Sequence, residues 1–67
     1  MNTDNINRYQ QQIDKERESL ERLSLSLISL LQTVDIEYID FYSIINSINN
    51  STTLINKLEY LKSLEYK

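Results

Sequence analysis

The chain has 67 residues, no Gly, Pro, Cys or His, and 7 Lys and Arg against 10 Asp and Glu, for a formal charge of -3. A domain this short buries only about 60% of the surface its unfolded form exposes. With neither Cys nor His to staple it, association with itself or a partner is the expected route to stability. The charge balance offers no global field for nucleic acid or an acidic membrane, and His- and Cys-based catalysis is excluded.

The opening residues, Met1-Asn2-Thr3-Asp4-Asn5, lack the basic and apolar regions of a signal peptide, so a cytoplasmic start is expected. Thr3 and Asp4 are both competent N-caps for a first helix over about residues 4–32. Ile6, Ile13, Leu20, Leu27 and Val34 recur every seven residues, and Tyr9, Glu16, Leu23 and Leu30 fall at the companion position, giving an a/d heptad seam. The seam is thin in its first half, where the helix should fray unless Ile6, Tyr9 and Ile13 are covered. Glu16 is costly to bury between helices, so the seam is expected to open to water there or to let the carboxylate snorkel to its edge. A partner offering Lys or Arg opposite it is the functional counterpart. No apolar run approaches the ~20 residues of a membrane span.

Thr33-Val34-Asp35 is the best turn, with Thr33 or Asp35 able to cap a second helix over about residues 36–65. Asp35, Glu37 and Asp40 near its start, and Lys57, Lys62 and Lys67 toward its end, suit one long helix folded back as an antiparallel hairpin. The fold class is therefore all-α, a single domain over residues 1–67. Its expected core joins Leu20, Leu23, Leu27, Leu30 and Val34 to Phe41, Ile44, Ile48 and Ile55. Asn49-Asn50-Ser51-Thr52-Thr53 is the poorest helix-forming run, and the apolar face rotates there. Either the helix breaks near Asn50 to give three helices, or it continues and shows different faces at its two ends; continuity is favoured.

The carboxylates read as solvated faces and helix starts. Asp14 and Glu18 are spaced to share a magnesium ion, but Lys15, Arg17 and Arg22 compete for their charge. Arg8, Lys15 and Arg22 form a basic line seven residues apart, with Asp14 and Glu21 on the neighbouring line. Such alternation is the pattern of a salt-bridged surface and not of a nucleic-acid interface. Asn50-Ser51-Thr52 matches the glycosylation pattern but reads better as capping chemistry. No catalytic, cofactor or metal site is expected, and the chain is not read as an enzyme.

Hydrophobic residues exceed what one seam requires. Leu25 and Ile28, with Leu31 between them and the seam, lie on another side of helix 1, and Leu54, Leu58 and Leu61 lie away from the main face of helix 2. These six predict a second apolar surface, covered either by a third short helix or by another chain. They are the candidate partner-binding residues.

From Tyr38 onward the chain resembles the small hairpin co-chaperones of type III secretion needle proteins, the YscE, SsaE and EscE type. The resemblance rests on Tyr38, Phe41, Ile48, Ser51, Leu54 and Ile55, continued by Asn56 and Leu58; helix 1 is similar in length and amphipathic character. It implies a non-catalytic cytoplasmic helper. Such a helper pairs with a tetratricopeptide-repeat chaperone, and together they keep the needle subunit unpolymerised before export.

The rival is a homodimer of two hairpins in a four-helix bundle, as in plasmid or phage regulators, which the heptads of helix 1 support. Leu20-Glu21-Arg22, Phe41-Tyr42-Ser43 and Asn56-Lys57-Leu58 also resemble segments of nucleoid-associated regulators of the Hha and YmoA type, at shifted separations.

Overall fold

Two long helices account for nearly all of the chain. The computed structural model describes residues 2–33 and 35–66, with α1 over Thr3–Leu31 and α2 over Tyr38–Leu64, packed as an antiparallel hairpin. It is a rod of 52 × 14 × 10 Å. No strand occurs among the described residues, and α2 runs unbroken through Asn49–Thr53. No helix of the described residues is long and apolar enough to cross a membrane.

The caps differ from those expected. Asn2, not Thr3 or Asp4, caps α1, its side-chain oxygen accepting from the Asn5 amide at 3.2 Å. Asp4 falls in the first turn, where its charge complements the helix dipole. At the other end the Thr33 hydroxyl donates back to the Ser29 carbonyl at 3.3 Å and its amide to Leu30 at 3.0 Å, so Thr33 closes α1 and does not open α2. Asp35 does not cap α2 either; Glu37 does, without a side-chain hydrogen bond.

The connection thus runs from 32 to 37, longer than the expected 33–35. A tight helix end takes a left-handed residue, usually Gly. This chain has none, and no described residue has positive φ. Gln32 stays right-handed and Glu37 is extended, so the chain reverses by spreading the turn over more residues. Val34, expected in the core, lies outside the described residues.

Burial follows one heptad register in each helix. In α1 the a and d residues are Ile6, Tyr9, Ile13, Glu16, Leu20, Leu23, Leu27 and Leu30, and every one is buried or half-buried. In α2 the same 3-4 spacing selects Phe41, Ile44, Ile48, Ser51, Ile55, Leu58 and Lys62, and then Glu65 at the C-cap, again all buried or half-buried. All described b, c and f residues within the two helices are exposed. The most enclosed side chains are Ile13 (1% exposed), Ile55 (8%) and Ser51 (9%).

This register explains the rotation of the apolar face. A seven-residue repeat drifts about 20° per heptad on a straight helix, roughly 70° from Phe41 to Glu65, and left-handed supercoiling keeps that drifting stripe on its partner. Leu58 therefore belongs to the seam. The expected core residues Leu20, Leu23, Leu27, Leu30, Phe41, Ile44 and Ile48 are half-buried, because a two-helix rod has no third layer to cover their edges.

Candidate protein-binding flanks

Toward the open end the seam positions contributed by the C-terminal end of the chain are polar, facing the Ile6 and Tyr9 end of α1. Lys62, at an a position, donates to the Gln10 side chain at 2.5 Å, and Glu65, at d, accepts from the Asn5 side chain at 3.3 Å. Glu16 is half-buried in the seam, and no salt bridge to it occurs among the described residues. Arg17 and Glu59 form a surface ion pair at 2.6 Å.

That ion pair fixes which edges meet. Both residues are at heptad e, and chain reversal turns the second helix over, so e borders e along one flank and g borders g along the other. The b residues lean over the e flank, and the c residues over the g flank.

The e flank is apolar toward the connection. Ile28 (b) and Leu31 (e) of α1 and Tyr38 (e) and Tyr42 (b) of α2 are all exposed, beside half-buried Ile45 (e). The rings of Tyr38 and Tyr42 stack with centroids 5.9 Å apart. Glu21, one heptad before Ile28, is exposed on the same flank, and the acids Asp35 and Glu37 of the adjoining connection are also exposed.

The g flank is polar toward the connection, with Ser26, Ser47 and Asp40, and apolar toward the open end, with Leu54 and Leu61 at g and Leu64 at c. Four exposed cations at c border those leucines: Arg8, Lys15 and Arg22 of α1 and Lys57 of α2. None of the four makes a salt bridge among the described residues. Lys57 lies 5.9 Å from the centre of the Tyr60 ring.

The six candidate partner-binding residues therefore do not form one surface. Leu25, at f, points outward and is 61% exposed; Ile28 and Leu31 lie on the e flank; Leu54, 43% exposed, and half-buried Leu61 lie on the g flank; Leu58 is in the seam. The basic and acidic lines also separate. Arg8, Lys15 and Arg22 lean to one flank and Asp14 and Glu21 to the other, so the signs do not alternate over a single face.

Tyr38, Ile39, Tyr42 and Leu64 are exposed apolar residues absent from those six. Numbering α2 in heptads, as for α1, would have found them. Asp14 accepts from Gln10 at 2.8 Å, and among the described residues no group of three potential ligands stands close enough to hold a metal. A shallow hollow lined by Glu59, Lys62, Ser63 and Tyr66 opens to solvent near the free end.

Comparison with protein-family models, with curated proteins and with solved structures gives no match for this chain.

Proposed function

We propose that the chain is a non-catalytic, cytoplasmic protein-binding hairpin that docks its apolar e flank on helices of a larger chaperone. In the manner of the needle-protein co-chaperones it resembles, the partner is a tetratricopeptide-repeat chaperone, and the pair holds a type III secretion needle subunit unpolymerised before export. The observation that carries this reading is the set of Ile28, Leu31, Tyr38 and Tyr42, all exposed on one flank outside the hairpin's own seam. Aromatic residues suit such a contact because they bury large area with few rotatable bonds.

The test is co-expression with a tetratricopeptide-repeat chaperone and a needle subunit of a type III secretion system. A stoichiometric complex is expected, lost on Leu31→Glu or Tyr42→Glu without loss of helicity. Failure of the folded wild-type chain to bind either component would overturn it. A two-fold homodimer built on the same flank is the second reading, supported by the same residues. It would bring Glu21, Asp35 and Glu37 of one copy toward those of the other.

A further inference from the structure

We infer that the chain associates with a second copy of itself heterologously, the apolar e flank at the acidic, connection end of one hairpin seating on the basic g flank near the open end of the next. No Lys or Arg lies between Arg22 and Lys57, so the end of the rod that bears Ile28, Leu31, Tyr38 and Tyr42 has only acids among its charges: Asp35 and Glu37 in the connection and Asp40 at g, with Glu21 next along the e flank. The other half presents Leu54, Leu61 and Leu64 between Arg8, Lys15 and Arg22 on one rim and Lys57 on the other.

At 1.5 Å per residue the leucine row is about 15 Å long and the row from Tyr38 to Ile45 about 10 Å, so the two match in scale as well as in charge. An acidic rim facing a basic one is attractive, whereas a two-fold contact of either flank with itself sets like charges together. Because the complementary surfaces lie on opposite flanks, satisfying one leaves the other free on each copy. The contact therefore propagates into an open chain and does not close as a dimer. Its small area places it among weak, reversible contacts.

The inference does not depend on the co-chaperone reading, and its test uses the pure chain, so either can fail alone. Sedimentation or light scattering at about 0.01 M salt should show a mass that rises with concentration past the dimer. It should shrink at about 0.15 M, where the screening length falls from about 30 Å to about 8 Å. One triple variant, Lys15→Glu, Arg22→Glu and Lys57→Glu, and another, Glu21→Lys, Asp35→Lys and Glu37→Lys, should each be monomeric alone and reassociate when mixed. Asp4→Lys with Glu18→Lys, at outward f positions, should leave wild-type association in place. A monodisperse wild-type monomer at low salt, a mass that stops at the dimer, or a mixture of triple variants that stays monomeric would overturn the inference.

Discussion

Replacing Ile13 by Ala removes most of the most enclosed side chain among the described residues, at 1% exposure. Ile-to-Ala changes in buried sites cost about 2–5 kcal/mol, the spread reflecting how far the site collapses around the void. Here only two helices surround the site and both can settle inward, so the lower part applies, about 2–3 kcal/mol. A chain of this length has roughly 3–10 kcal/mol of stability in all. The loss is a large share of that, and at about 4–8 °C per kcal/mol it should lower Tm by about 10–20 °C. Thermal and urea melts followed by far-ultraviolet circular dichroism measure it, with Leu25→Ala as the control because Leu25 is 61% exposed. A Tm for Ile13→Ala no lower than that of Leu25→Ala would refute the placement of Ile13 at the centre of the seam.

Leu58→Ala and Leu54→Ala make the same change four residues apart, yet only Leu58 is in the seam; costs of about 1–2 and under about 0.8 kcal/mol are expected from urea melts, and equal costs would contradict the heptad register of α2. Lys62→Leu replaces a polar seam residue and its bond to Gln10 by apolar cover, with a gain of about 1 kcal/mol expected; a fall in Tm would show that the hydrogen bond outweighs burial. Asn2→Ala removes the cap of α1 and should cost about 0.5–1 kcal/mol, read most directly as faster exchange of the Asn5 and Ile6 amides. Arg17→Ala breaks an ion pair whose members are 57% and 47% exposed, and a change within about 0.5 kcal/mol is expected; a loss several times larger would mean the pair helps set the helix register.

The hairpin and the α1 register were legible because apolar residues occupy almost every a and d position of α1. In α2 three of the eight seam positions hold Ser51, Lys62 and Glu65, so a pattern drawn from apolar residues alone does not reveal the repeat. Reading that helix at 3.6 residues per turn then assigned Leu58 to an outer face and merged two flanks into one. The side-chain bonds of Asn2 and Thr33 were not legible for a different reason. Several neighbouring residues have competent oxygens, and which one bonds depends on where the helix starts or stops; at the Thr33 end the lack of a Gly leaves no tight left-handed close to mark that point. Exposure of Leu25, Ile28 and Leu31 followed directly from their positions outside the α1 seam.

The short connection gives the hairpin a direction of assembly, with the polar layer at its far end. Closing the seam beside the connection, between Leu30 and Phe41, encloses a short loop, whereas joining Asn5 to Glu65 first would enclose nearly the whole chain. Loop entropy rises with the logarithm of that length. Pairing should therefore start at the connection and zip outward, reaching the layer of Gln10, Lys62, Asn5 and Glu65 last. With no proline anywhere in the chain, nothing imposes the slow isomerisation step common in larger domains. Refolding in a single fast phase follows, with the connection end closed while the free end still opens and shuts.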